Sequence, residues 1–533
     1  MTEVVLVGIE TEENLAIRYL GAACERAGLQ TTLVPVRDCD ELERVATKIV
    51  AQQPREVGLS MTFQQFARSF LHFAQRLRAC GFDGHVTAGG HFATLAAQRL
   101  LRDAPSLDSI VMHEGETTLV ELTRLLVDRP TYDAHALQDI RGLAFRDRDG
   151  SVVVNPPRAL GPLDDLAPPL RVDPAPEHLG VGHAALVGSR GCYGSCTYCS
   201  IQAWYRAASG PRFRQRSVDD IVAEMRSLYG RGVRIFNFHD DNFFVPTRED
   251  NVARLDALID AVRNAGMTDA AVVMKCRPDD IDGPILDRLE TLRILRAYVG
   301  IETASPEGVR ALGRGVHGDR IGLAIQQLRE RSIFHAFNML LFDPDTTLES
   351  IVPNLDVLER YADVPFDFCR AEVYVQTPLE KRLLREGRLA GTYFARSYEI
   401  NDPRAELMFR IVSTSFNHRN FAKDGLAMLN LAVRFDVEIL RRFHPTAWDV
   451  ELHARAVELS GEVGRSSVRF LRGIHTFVRH VELQDHDTIR AFTVDTARAI
   501  HRDDFLLYAK MRAFNEELAS RAGGQSWPRR EEN

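Results

Sequence analysis

Short β-branched runs alternate with amphipathic helical stretches twice along this chain, and that alternation constrains the fold more than any other feature. In the first series the strands read Val4 to Ile9, Thr31 to Val36, Glu56 to Met61, His85 to Ala88 and Ser109 to Met112. Between them Asn14 to Ala27, Asp40 to Gln53, Gln64 to Cys80, Ala93 to Arg102 and Glu116 to Asp128 repeat an apolar face at helical spacing. Five β-α units predict an α/β domain over residues 1–145, a doubly wound parallel sheet of the Rossmann type.

A stretch from 146 to 180 holds Pro156, Pro157, Pro162, Pro168, Pro169, Pro174 and Pro176, a density that predicts an extended linker. The second series follows, with strands at Ala184 to Gly188, Arg234 to His239, Ala271 to Lys275, Leu295 to Ile301, His335 to Leu341 and Cys369 to Val375. Six β-α steps over 181–400 predict a partial TIM-type barrel, whose chemistry collects at the carboxyl ends of its strands. Residues 401–533 read as an α-helical region, with stretches at Leu426 to Phe443, Val450 to Leu459, Ser466 to Val481 and Thr488 to His501. The polar tail, Gln525 to Asn533, reads as disordered.

A chain of 533 residues that is 45% hydrophobic can bury several cores. Its net charge of -8, without a basic stripe, lacks the footprint that nucleic acid demands. The segment Val4-Val5-Leu6-Val7-Gly8 is a short strand-like run without preceding basic residues, so no secretory or membrane segment is expected and the chain reads as cytoplasmic. Of eight cysteines, Cys24, Cys39, Cys80, Cys276 and Cys369 stand singly, as reduced structural thiols do.

The other three sit in Ser189-Arg190-Gly191-Cys192-Tyr193-Gly194-Ser195-Cys196-Thr197-Tyr198-Cys199, directly after the first strand of the second series. A C-x3-C-x2-C loop brings the thiolates of Cys192, Cys196 and Cys199 round one face of a 4Fe-4S cubane and leaves one iron without a protein ligand. The competing assignment is zinc, which wants four closed ligands; no fourth cysteine is in place, and His183 precedes the strand.

This motif, with aromatic Tyr198 before the third cysteine, resembles the signature of the radical S-adenosylmethionine (SAM) superfamily. The resemblance implies that SAM occupies the open iron. It implies further that Asp240, Asp241 and Asn242, Lys275 and Arg277, and Glu302 within Gly300-Ile301-Glu302-Thr303 hold the SAM amino group, carboxylate and ribose. Tyr374, with Val375-Gln376-Thr377, would line the substrate cavity, and Tyr374 and Glu302 are the candidate catalytic side chains. An acidic turn or a surface ion pair is the ordinary alternative for each charged position. The reduced cluster would cleave SAM to methionine and a 5'-deoxyadenosyl radical, fed by an external flavodoxin- or ferredoxin-type donor.

Residues 1–145 ahead of such a barrel resemble the cobalamin-binding class of radical SAM enzymes. The strings that carry this are Gly8-Ile9-Glu10-Thr11-Glu12-Glu13-Asn14, Ser60-Met61-Thr62-Phe63, Gly89-Gly90-His91-Phe92-Ala93-Thr94 and Glu114-Gly115-Glu116-Thr117. Ser60, Gly89 and Gly90 fall where cobalamin domains pack the nucleotide tail. No D-x-H-x-x-G follows the first strand, so no histidine is offered there as lower cobalt ligand. His91 reads as a turn histidine rather than a corrin contact, and the C-terminal histidines are too dispersed to ligate metal.

The class implies cobalamin-dependent C-methylation of a small molecule such as a secondary metabolite. The alternative is a non-methylating dehydratase, cyclase or epimerase of the same architecture, of which the radical diol-dehydratase of an aminoglycoside pathway is an example. A non-catalytic sensor would gain from a fourth cluster ligand, and a tRNA methylthiotransferase would carry further cluster cysteines and a basic C-terminal module.

Overall fold

The computed structural model describes residues 2–129, 134–316 and 318–523; the tail from Gln525 to Asn533 lies outside them. Two compact units emerge. One comprises Met1–Asp173, Ala185–Glu224 and Glu372–Ser397, the other Pro174–Ala184, Met225–Ala371 and Tyr398–Asn533.

The first unit is built on strands β1 (Val4–Ile9), β2 (Thr31–Val36), β3 (Glu56–Ser60), β4 (His85–Gly89), β5 (Ser109–Val111), β6 (Leu143–Arg146) and β7 (Val152–Val154), in the order β2-β1-β3-β4-β5-β6-β7. The first five are parallel, and the chain reverses direction across the sheet between β2 and β3, either side of β1. That reversal opens a crevice beyond the carboxyl ends of β1 and β3. Both faces are buried, as a parallel sheet requires. Val5, Val7, Val57, Leu59 and Val86 pack on Phe70 and Phe73. The alternate residues Val4 and Leu6 pack on Ile17, Leu119, Leu122 and Phe145. Each such side chain contributes about 1.5–3 kcal/mol by leaving water.

Strands β6 and β7 form an antiparallel hairpin where the sequence predicts the beginning of a linker. Its strands of four and three residues are too short for periodicity to reveal. The turn closes through Asp147 N–H, which donates to the Ser151 carbonyl at 2.8 Å, with Gly150 at φ +84.

Farther along come β8 (Glu177–His178), β9 (Val181–Leu186), the hairpin strands β10 (Ser189–Gly191) and β11 (Phe213–Gln215), and then β12 (Val233–Phe238), β13 (Ala271–Cys276), β14 (Arg296–Glu302), β15 (His335–Phe342) and β16 (Phe366–Arg370). The order β16-β15-β14-β13-β12-β9-β8, parallel from β12 to β16, is the open half-barrel expected. His183 lies within β9 rather than ahead of it.

In the second unit the C-terminal residues form helices Pro403–Phe421, Leu426–Phe443, Val450–His480 and His486–Arg521. The sequence suggests two stretches, Val450 to Leu459 and Ser466 to Val481, where the helix Val450–His480 runs unbroken through Gly461 and Gly464. Gly464 is a packing residue: a Cβ there would stand 1.9 Å from the Ala362 carbonyl oxygen. His178 Nε2 pairs with Asp436 Oδ1 at 2.6 Å and Asn515 donates to Asp436 Oδ2 at 3.0 Å, which satisfies a carboxylate only 1% exposed.

Candidate active site

The cysteine loop grows from the β10–β11 hairpin. Gly191 ends β10 at φ +91, and a Cβ there would lie 1.9 Å from the Arg212 carbonyl oxygen, so only glycine fits before Cys192. The loop is then pinned at several points. Gln202 Nε2 donates to the Cys192 carbonyl at 2.7 Å, and the Leu379 N–H donates to the Thr197 carbonyl at 2.9 Å. Cys199 caps the helix Ser200–Ala207, and Cys196 is buried.

This loop suits a cubane. The Gly194 N–H points at Cys192 Sγ, 3.3 Å away, as backbone donors do towards the sulfurs that ligate such clusters. Among the described residues no three His, Cys, Asp or Glu side chains are gathered as a single-ion site.

Charge pairs hold the loop within its unit. Arg190, next to Gly191, lies 2.8 Å from Glu116 and 3.4 Å from Glu114, with its guanidinium 5.0 Å from the Tyr19 ring centre. Arg214 on β11 pairs with the other oxygen of Glu114. Burial pushes the Glu116 carboxyl up, the guanidinium of Arg190 pulls it down, and the net result lies below the ordinary value. A second set joins Arg171 to Glu13 and Glu224, and Arg216 to Glu224 at 2.6 Å. Burial also pushes the Tyr19 hydroxyl up to about 12, with the Glu224 charge adding to it.

At the carboxyl edge of the first sheet Ser60 and Gly89 are register partners on β3 and β4, so two of the predicted cobalamin residues stand side by side, both half-buried. Gly90 follows at φ +99, and its Cβ would meet Thr62 Oγ1 at 2.8 Å. The small residue is therefore demanded by the protein's own turn, and not by ligand room alone as the sequence suggests. Two further residues complete this edge. His113 follows β5 at φ +59, its N–H donating to Thr94 Oγ1 at 3.0 Å. The Trp204 ring lies edge-on to both His91 and His113, with ring centres 4.9 and 5.2 Å apart. Burial, helped by His91, lowers His113 to about 4 and keeps its imidazole neutral. The indole N–H of Trp204 is buried and has no acceptor among the described residues, and such an orphan is what a polar cofactor at this edge would satisfy.

In the second unit the predicted SAM residues fall at strand ends. Asp240 and Asn242 follow β12 and are each 2% exposed, whereas Asp241 between them faces solvent. Asn242 Nδ2 donates to the Phe244 carbonyl at 3.1 Å and shapes the turn. Lys275 on β13 is exposed. Arg277 is buried, its guanidinium held by Asp279 at 2.9 Å and by the Arg314 carbonyl at 2.8 Å. Glu302 ends β14 at φ +67, just past a register shift, and accepts from Asn338 Nδ2 at 3.1 Å. Asp367 on β16 is pushed up to about 6 by burial and then by the Glu302 charge.

Tyr374 is placed differently from the sequence reading. The last strand of the half-barrel is Phe366–Arg370, not Cys369 to Val375, so Tyr374 lies beyond it in a turn of the first unit. Its carbonyl accepts from Thr377 Oγ1 at 2.7 Å. The apolar residues that suggest a strand there serve another core: Val375 packs with the residues around Phe70. Sequence reasoning also missed Trp204, His113 and Asp367. Trp204 carries no signal beyond an amphipathic helix after the cysteine loop, and the others stand singly in β-rich runs.

A B12-binding domain model matches residues 4–123 and a Radical SAM superfamily model residues 186–358. An uncharacterized methyltransferase of Pyrococcus horikoshii is 25% identical over 331 residues, 60% of this chain and 68% of its own. Other curated relatives are matched over about half of their length. The solved structure of the cobalamin-dependent SAM radical enzyme OxsB superposes with a TM-score of 0.65 at 14% identity, covering 97% of this chain and 80% of that one. The radical SAM methyltransferase TsrM from Kitasatospora setae gives 0.57 at 19% identity, over 72% and 75%. No helix among the described residues is long and apolar enough to cross a membrane. With the B12-binding match ahead of the Radical SAM match, and a three-cysteine loop and small-residue sheet edge to go with them, this chain has the two-domain make-up of the cobalamin-binding radical SAM enzymes, a class whose cofactors are a 4Fe-4S cluster, SAM and cobalamin.

Proposed function

We propose that the chain is a cobalamin-dependent radical SAM methyltransferase acting at an unactivated carbon of a small molecule. The observation that carries this reading is the adjacency, within one unit, of the cysteine loop and the carboxyl edge of the B12-type sheet, joined through Arg190, Glu114 and Glu116. Its methyltransferase-named relative supports the same reaction class. When bound, the cofactors supply a carbon-centred radical and a transferable methyl group.

The chain's own residues bind and orient. Cys192, Cys196 and Cys199 hold the cluster, and the Gly194 N–H donates to the first thiolate. Ser60, Gly89 and Gly90 accommodate the corrinoid tail. Asp240 and Asn242, buried at the end of β12, take the SAM amino group, and Glu302, steadied by Asn338, takes a ribose hydroxyl. Arg277, already paired with Asp279, orients that turn rather than reaching for the carboxylate, a role left to exposed Lys275. Tyr198 packs beside the cluster, Asp241 joins the SAM-binding residues at the end of β12, and Tyr374 is a substrate contact. An external flavodoxin- or ferredoxin-type protein supplies electrons.

The test is incubation of the reconstituted protein with methyl-labelled SAM and a pool of candidate metabolites. A product heavier by one methylene, carrying the label, supports the proposal. Unlabelled product formed by loss of water would replace it with the dehydratase reading.

A further inference from the structure

Trp204 is 3% exposed, yet its indole nitrogen meets no acceptor among the described residues. A buried N–H without a partner costs about 1–3 kcal/mol, and most such groups are satisfied once every component is present. Its surroundings say which component is missing. The ring is held edge-on between His91, which follows β4, and His113, which follows β5, and these are strands of the B12-type sheet. Nδ1 of His113 is a second buried ring nitrogen without a partner among the described residues, on a residue kept at φ +59. A left-handed backbone at a non-glycine residue costs about 1–3 kcal/mol and gathers at ligand sites. Two orphaned ring nitrogens on touching rings thus lie at the sheet edge that receives the cofactor.

The nitrogen of His113 also says what it does not do. A histidine that ligates a metal through Nε2 donates Nδ1–H to a carbonyl or carboxylate. Nδ1 here has no such acceptor among the described residues, so His113 is not set up as a cobalt ligand.

We infer that Trp204 is a cobalamin contact, its indole N–H donating to an acceptor oxygen of the corrinoid, so that the helix leaving the cysteine loop forms part of the corrinoid seat. The acceptor is an amide carbonyl of the corrin rim or a phosphate oxygen of the nucleotide tail. His91 and His113 fix the ring plane.

The inference rests on cobalamin binding itself, so the experiment separates the two. Wild type and Trp204→Phe, both with reconstituted cluster, are titrated with hydroxocobalamin and with cobinamide, which lacks the tail. Phenylalanine keeps the contact with both histidines and removes only the donor. Binding about 3- to 10-fold weaker in the variant, at equal iron content, is expected. Weakening for both probes assigns the contact to the corrin rim, and for hydroxocobalamin alone to the phosphate. Equal affinity of wild type and variant for hydroxocobalamin overturns the inference while cobalamin binding stands; no binding by wild type overturns both. Should the variant fail to fold, wild type labelled with nitrogen-15 at the indole nitrogens gives the answer. The Trp204 N–H resonance should move downfield on addition of hydroxocobalamin, and one that stays in place overturns the inference.

Discussion

Replacing Arg190 by alanine would remove the cation that sits between Glu116 at 2.8 Å and Glu114 at 3.4 Å, two residues ahead of Cys192. The arginine side chain is 16% exposed and those of Glu116 and Glu114 are 12% and 13% exposed, so water would screen the exposed carboxylates poorly. Glu114 would keep Arg214. Glu116 would be left as a buried charge without its partner, an arrangement that typically costs about 3–5 kcal/mol.

The loss should be local. Amide exchange in Ser189–Gly191 and in the loop after it should speed up by about 150- to 5000-fold, at 1.36 kcal/mol per decade. The effect should also depend on pH. In the wild type Glu116 is held below its ordinary value, so its contribution is present above the unfolded carboxylate range and fades as pH falls. In the variant burial is opposed only by a backbone hydrogen bond and the charge of Arg214, the smaller of the lowering influences, so acid relieves the isolated charge and narrows the gap between the two proteins. Glu116→Gln added to Arg190→Ala should recover most of the loss. Exchange rates in Arg190→Ala equal to wild type, or a double variant no better than the single one, would refute the clamp.

Any one of Cys192→Ala, Cys196→Ala and Cys199→Ala should abolish iron-dependent absorbance and SAM cleavage, while replacing Cys24 or Cys276, whose thiols burial pushes up, should leave both intact. Asp240→Ala should weaken SAM binding about 10- to 150-fold by calorimetry with cluster content unchanged, and unchanged affinity would move the amino-group site elsewhere. Gly90→Ala should destabilise the first unit by about 1–3 kcal/mol in denaturant melts even without corrinoid, because φ +99 and the contact with Thr62 are intrinsic to the turn. Burial of neutral His113, at about 4, adds stability that is present above the unfolded histidine range and is lost as pH falls towards 4. His113→Asn should flatten the melting profile between about pH 6.5 and 4.

Periodicity made the two β/α series legible because parallel strands buried on both faces leave long apolar runs, and all five strands of the first series begin and end within one residue of the sequence reading. It failed where an element is short or where an apolar residue serves another core, as with β6, β7 and Val375. The cysteine loop was legible because its chemistry depends on spacing along one short segment. Trp204 and His113 were not, since their meeting depends on residues far apart in sequence and on a backbone angle that only the fold sets. Gly90 was found for an incomplete reason: small size was visible, the clash with Thr62 was not.

Cofactor content tests the central claim most directly. The wild-type protein, reconstituted anaerobically with iron, sulfide and excess hydroxocobalamin and then desalted, should retain about four irons and about one corrinoid per chain. Iron at that level with no corrinoid retained, in a protein that still cleaves SAM, would contradict the account.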